Sequence, residues 1–221
     1  MVKSIFSILG PEMIGPSSSH TAGAARLGRA AYVLAGGDVQ SVVFTLYGSF
    51  AHTGRGHGTD KALLAGIMNL SPKDEHIKTA YELAKERGLR FVFLEEDASG
   101  LHPNTVKIAV TKADGTTTEL VGSSIGGGNI VLTQINGVPC EITTDYPTVM
   151  VLHSDRVGVV SKLTAQLEKF RINIVTLRNS REARGKGATT IIETDTALPQ
   201  SVLNALREQP SVTNVVFIDR V

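Results

Sequence analysis

Tryptophan is absent and cysteine occurs once, as Cys140. A single thiol excludes an internal disulfide. It also cannot hold an iron–sulfur cluster or a structural zinc by itself, since both need several ligands. Sparse cysteine fits a reducing compartment, so a cytoplasmic location is expected. Charge of neither sign dominates: 22 Lys and Arg stand against 21 Asp and Glu. No basic block or aromatic–basic face occurs, so no nucleic acid partner is expected. The longest apolar runs fall short of the roughly 18 residues that cross a membrane. The start, MVKSIFSILGPEM, carries a short apolar patch without a full signal-peptide core or cleavage site, so neither membrane nor secretion is expected. No G-x-x-x-x-G-K-[ST] loop and no H-E-x-x-H pair occurs, which argues against P-loop and zincin chemistry.

What is present builds a packed protein. Hydrophobic residues make up 42% of the 221, and charged residues only 19%. That balance supports a core and one or two domains. The pattern predicts an α+β protein that divides near Tyr146-Pro147.

Residues 147–221 read most clearly. Strands are expected over 149–152, 172–177, 188–194 and 212–218, with helices over 159–170 and 198–208. Val160, Leu163, Leu167 and Phe170 share one helical face, and Leu198, Val202, Ala205 and Leu206 share another. The order β-α-β-β-α-β is ferredoxin-like. The strand, D-R-V-G-V-V and helix entry resembles an ACT domain, a regulatory module that often binds amino acids. Fold alone does not assign such a role.

Residues 1–146 read as a mixed α/β unit. Helices are expected over 22–35, 59–70 (capped by Thr59) and 74–87, and strands over 39–50, 89–95, 105–110, 117–121 and 129–135. Residues 51–58 read as a glycine-rich loop, and Gly126-Gly127-Gly128 as a turn.

Four polar segments stand out on this scaffold. In GPSSSHTAGAARLG, the side chains of Ser17, Ser18, Ser19, His20 and Thr21 gather at a helix start, where one hydroxyl would suffice as a cap. Free N–H groups there suit a carboxylate or phosphate. In YGSFAHTGRGHGTD, between a strand and a helix, His57 stands between Gly56 and Gly58. An imidazole titrates near neutrality and is the natural general base. Gly54-Arg-Gly56 opens a dinucleotide fingerprint, but Thr59 occupies the third glycine position and the pattern fails. His102-Pro-Asn104 and Gly122-Ser-Ser-Ile-Gly-Gly-Gly128 each add hydrogen-bonding ends or backbone amides able to approach an anion. Each segment alone is equally a cap, an ordinary loop or a turn.

Taken together, GPSSSHTAGAAR, YGSFAHTGRGHGTD, HPNT and SIGGG, followed by the ACT-like tail, resemble the β subunits of bacterial iron–sulfur-dependent L-serine dehydratases. The resemblance spans essentially the whole chain. Its amino-terminal part is similar to the allosteric substrate-binding domain of some phosphoglycerate dehydrogenases. It implies a lyase that converts L-serine to pyruvate and ammonia, with a [4Fe–4S] cluster held by cysteines of a partner alpha subunit and no metal ligand in this chain. By the same resemblance, His57 is the general base and Thr59 hydrogen-bonds the substrate. Ser17, Ser18, Ser19, His20 and Thr21 hold the substrate carboxylate or line the cleft. His102, Asn104, Gly126, Gly127 and Gly128 belong to a separate site for effector serine. Homodimer contacts through either domain are also expected. Two other readings stay open: an amino-acid sensor without catalysis, and a pyridoxal-phosphate enzyme using Lys61 beside the glycine loop.

Overall fold

A computed structural model describes residues 13–181 and 183–221. The start of the chain through residue 12, read above for a signal peptide, lies outside the described residues, as does Glu182. Contacts divide the chain after Thr143, with the second unit spanning Thr144–Arg220. The fold class is α+β.

The first unit carries a six-stranded sheet: β1 (Ser41–Tyr47), β2 (Arg90–Glu96), β3 (Thr105–Thr111), β4 (Thr117–Gly126), β5 (Asn129–Ile135) and β6 (Val138–Ile142). Their order is β2-β1-β3-β4-β5-β6. β1 and β2 pair in parallel, joined by a helical crossover, and β1 meets β3 in antiparallel. The helices are α1 (Ala24–Leu34), α2 (Ser49–His57), α3 (Thr59–Ile67) and α4 (Ala80–Glu86).

α1 and α3 cross with their backbones almost touching. A Cβ on Gly28 would stand 2.3 Å from the Leu63 carbonyl, and one on Gly66 would stand 2.1 Å from the Ala25 carbonyl. Only glycine permits that approach. The surrounding Ala25, Leu27, Leu63 and Leu64 are fully buried. The crossing matters for the site because it fixes the start of α3 beside the turn that leads into α1.

Four local expectations are corrected. Residues 51–58 are not a loop; they belong mostly to α2, which runs to His57. Two glycines at about 1 kcal/mol each oppose a helix there, but buried Phe50 and Ala51 anchor it to the core. Thr59 does not cap α3: Gly58 does, at φ 73°, and that left-handed residue separates α2 from α3. Strand β4 does not end at Val121 but continues to Gly126. Gly122 makes the extension possible, since a Cβ there would meet Leu27 at 2.6 Å and Leu132 at 3.0 Å. The helix expected from Ala22 starts as a wide π-helical turn, Ser18–Gly23, and becomes α-helical at Ala24.

The second unit has β7 (Thr148–Ser154), α5 (Val159–Lys169), β8 (Ile174–Arg181), β9 (Gly187–Thr194), α6 (Gln200–Arg207) and β10 (Val212–Ile218). The sheet order is β10-β7-β9-β8, and every neighbour is antiparallel. That is the ferredoxin-like βαββαβ arrangement. Leu163 and Leu167 of α5 and Val202 and Leu206 of α6 pack on Val149, Val151 and Ile192 of the sheet. Among the described residues, no helix is long and apolar enough to cross a membrane.

Candidate functional site

The polar run at 17–21 folds into the turn before α1. Ser17 is its cap: its Oγ accepts from the His20 amide at 3.2 Å, and its carbonyl accepts from the Thr21 amide at 2.8 Å. Ser18 and Ser19 are half-buried on the same turn. His20 and Thr21 point inward and are buried. Gly23 lets β4 come close, since a Cβ there would lie 2.0 Å from Ser124 Oγ.

His20 joins three elements. Its Nδ1 lies 2.8 Å from Thr59 Oγ1 at the start of α3. Its Nε2 lies 3.3 Å from Ser49 Oγ at the start of α2. Its ring meets Phe50 edge-on at 5.2 Å and lies 5.0 Å from the His57 ring, centroid to centroid. Burial first, and then the neighbouring His57, lower its pKa from the usual histidine value of 6.5. Thr59 is wholly buried. His57, at the last position of α2, is exposed.

A cavity of about 330 Å³ opens beside His57, lined by Gly15, Pro16, Thr21, Gly56, Gly58, Lys61 and Lys78 among others. That volume suits a small molecule. Lys61 Nζ donates to the Lys78 carbonyl at 2.9 Å, which places its charge at this wall. Thr21 Oγ1 is buried and has no hydrogen-bond partner among the described residues, and the same holds for Ser124 Oγ. An unpaired buried hydroxyl costs about 1–3 kcal/mol. Thr21 therefore leaves unsatisfied hydrogen-bonding capacity at the cavity wall.

The segments read as a separate effector site are built into the same scaffold. His102 is exposed, and its Nδ1 accepts from the Asn104 amide at 3.2 Å. The Asn104 carbonyl accepts from the Ser124 amide at 3.0 Å, and Asn104 Nδ2 donates to the Ser124 carbonyl at 3.5 Å. Thr105 Oγ1 donates to the His102 carbonyl at 2.7 Å. The Pro103 carbonyl accepts from the Phe50 amide at 3.3 Å, at the head of α2. Gly126, Gly127 and Gly128 all have positive φ at the β4–β5 hairpin, and the Gly128 carbonyl accepts from Arg26 of α1 at 3.0 Å. Asn104 thus touches β4 where Ser124 faces the Ser17–Gly23 turn.

Several residues of this neighbourhood escaped the sequence reading. Ser49 and Thr53 lie four residues apart on one face of α2, a spacing that would have been visible had the segment been read as helix. Ser124 lay inside an apparent flexible loop.

Metal-binding capacity is limited. Among the described residues, no three His, Cys, Asp or Glu side chains gather as a metal site. Cys140 is half-buried at β6, and burial pushes its thiol up to about 12.

Comparison with known proteins bears on this geometry. The family described as serine dehydratase beta chain matches residues 2–89. The chain is 41% identical over 216 residues to the probable L-serine dehydratase beta chain of Bacillus subtilis, covering 98% of each. It is 37% identical over 217 residues to the L-serine dehydratase beta chain of Peptoniphilus asaccharolyticus, again over 98% of each. The L-serine dehydratase TdcG of Escherichia coli is 28% identical over 157 residues, which cover 61% of this chain and 35% of that protein.

Proposed function

The chain belongs to the family of L-serine dehydratase beta chains, and from that premise we propose that it is one half of a two-chain lyase converting L-serine to pyruvate and ammonia. The observation that carries the reading is Thr21 Oγ1, buried and unpaired at the wall of a cavity that also holds His57 and Lys61. A carboxylate bound in that cavity would lie beside the Lys61 ammonium, which would offset its charge. Ser17, Ser18 and Ser19 form the edge of the turn that presents Thr21.

In this reading His57 takes the proton from the serine Cα onto its imidazole. The electrons of that C–H bond form the Cα–Cβ double bond as hydroxide leaves Cβ. The aminoacrylate product tautomerises to an imine, and water hydrolyses it to pyruvate and ammonia. His57 is exposed, so it can reach a substrate shared with a second chain.

The [4Fe–4S] cluster of the proposed reaction does not fit the donors of this chain. Cys140 is the single cysteine of the sequence, whereas a cluster takes several thiolates. The cluster therefore belongs, in this proposal, to cysteines of the partner alpha chain. The partial match to the longer Escherichia coli protein supports a division of labour, because this chain accounts for only 35% of it. The family reading further assigns an effector serine to His102, Asn104 and the Gly126–Gly128 hairpin. The bonds from Asn104 to Ser124 and from Pro103 to Phe50 give such a ligand a direct route to α2.

The test is anaerobic co-expression with the alpha chain, followed by a pyruvate assay. Turnover is expected from the assembly and not from this chain alone. An inactive assembly with its cluster intact would overturn the reading, as would full activity of the isolated chain.

A further inference from the structure

The hydrogen bonds around His20 favour one placement of protons. Thr53 Oγ1 lies 2.9 Å from the Ser49 carbonyl, closer than its 3.1 Å contact with Ser49 Oγ, which favours donation of the Thr53 hydroxyl proton to the carbonyl. Ser49 Oγ lies 3.1 Å from Thr53 Oγ1, and that contact needs the Ser49 proton, or two lone pairs would face each other. With its proton so used, Ser49 Oγ can only accept from His20 Nε2. Nε2 therefore carries the ring proton. In a neutral imidazole Nδ1 is then bare, and Thr59 Oγ1 donates to it at 2.8 Å. The bonds run one way, from Thr59 through His20 to Ser49 and Thr53.

We infer that His20 is a positioning residue: locked in its Nε2–H tautomer by Thr59 and Ser49, it is the fixed wall against which His57 works. Both ring nitrogens are engaged within the chain, so neither is free for a ligand. The Thr59 hydroxyl, wholly buried and directed at Nδ1, orients the ring instead of touching substrate. The rings of His20 and His57 are 5.0 Å apart. A neutral ring at that distance leaves His57 free to take up a proton, whereas an imidazolium there would oppose it. Burial favours the neutral form of His20. The titratable groups in this neighbourhood are His57 on α2 and, along the cavity wall, Lys61 on α3 and Lys78 in the 3₁₀ turn before α4. The effect on turnover rests on the reading of His57 as the proton acceptor; the tautomer does not.

Two measurements test the inference separately. In the ¹⁵N-labelled full chain, a histidine ¹H–¹⁵N correlation spectrum at neutral pH should show a proton-bearing Nε2 and a bare Nδ1 for His20, assigned by loss of the signal in His20→Gln. A proton on Nδ1, or on both nitrogens, would overturn it. In the two-chain assembly, Thr59→Val should lower kcat by about tenfold, less than the roughly 10²- to 10⁴-fold that loss of an acid–base group costs. KM should stay within about twofold, because no substrate contact is removed. The acid limb of the kcat–pH profile should move, and Thr59→Ser should restore both rate and profile. A raised KM with unchanged kcat would mean that Thr59 binds substrate and would sink the positioning role. If the wild-type assembly does not turn over serine, the functional reading fails while the tautomer is still decided by the spectrum.

Discussion

Each of the two units buries a histidine against a threonine, and the two histidines are used differently. In the second unit, His153 sits on β7 with Thr190 of β9 at 2.7 Å from its Nε2. Its Nδ1 lies 2.9 Å from the Ser154 carbonyl, which only accepts, so Nδ1 carries the proton. His20 carries its proton on the other nitrogen. His153 is held between neighbouring strands of one sheet. His20 is held by the starts of α2 and α3, and its ring faces His57 near an unpaired hydroxyl on a cavity wall. A buried imidazole is therefore not in itself a sign of function. What separates the two is what lies next to them: a filled sheet in one case, and in the other a second imidazole and unused hydrogen-bonding capacity.

The sharpest way to break the comparison is to remove one imidazole from each unit. In the assembled enzyme, His57→Ala should lower kcat by about 10²- to 10⁴-fold, the usual contribution of an acid–base group. His153→Gln should leave kcat unchanged and lower the stability of the second unit by about 1–3 kcal/mol, the cost of disturbing buried hydrogen bonds. Steady-state kinetics and denaturant unfolding decide both. A His57 variant with wild-type kcat would place the two units on the same footing.

The next effect is on folding and should stay within one unit. A Cβ on Gly66 would collide with the Ala25 carbonyl at 2.1 Å, and that is backbone that cannot swing aside. Gly66→Val should cost about 1–3 kcal/mol or more, as overpacking does. Hydrogen exchange should lose protection in α1, α3 and β3–β5, while β7–β10 keep theirs. Equal loss in both units would show that they do not fold independently.

How much of this was legible in the sequence follows from which forces were local. The second unit was readable because Leu163, Leu167, Val202 and Leu206 repeat at helical spacing and its strands are short apolar runs. There, pattern and packing agree. Residues 51–58 read as a loop because of their glycines, while the burial of Phe50 that anchors the segment as helix depends on distant residues. The extension of β4 was hidden in the same way: Gly122 looks like a turn residue until Leu27 and Leu132 are seen to need its missing side chain. The polar residues of the site were found by their density. Their partnerships were not, because His20 and Thr59 are 39 positions apart and only the α1–α3 crossing brings them together.

A smaller effect sharpens the contrast in pH. The His20 pKa is lowered in the folded chain relative to 6.5, mainly by burial. The unfolded chain therefore binds more protons than the folded one once pH falls to that value. Stability contributed by neutral His20 is full above pH 6.5 and declines as the pH drops below it. One proton sets a limit of about 1.4 kcal/mol per pH unit. Thermal unfolding between neutral and mildly acid pH should show this slope in the wild type and a flatter one in His20→Gln. An unchanged slope in the variant would mean that His20 is not the group responsible.

The smallest effect concerns Cys140, on β6 of the first unit. Its thiol donates to the Leu132 carbonyl at 3.6 Å, and burial pushes its pKa up to about 12. A thiolate is the reactive form, so at pH 8 the folded chain should react slowly with a thiol reagent and quickly once unfolded. Cys140→Ser exchanges one small side chain for another and keeps a donor for the Leu132 carbonyl. Its cost should be no more than about 1 kcal/mol, the net worth of a typical hydrogen bond. The assembled enzyme should keep its iron content and its kcat, because the proposed cluster takes no ligand from this chain. Iron analysis of the variant beside the wild type is the check. Loss of iron in step with loss of the thiol would make Cys140 a ligand and move part of the cluster onto this chain.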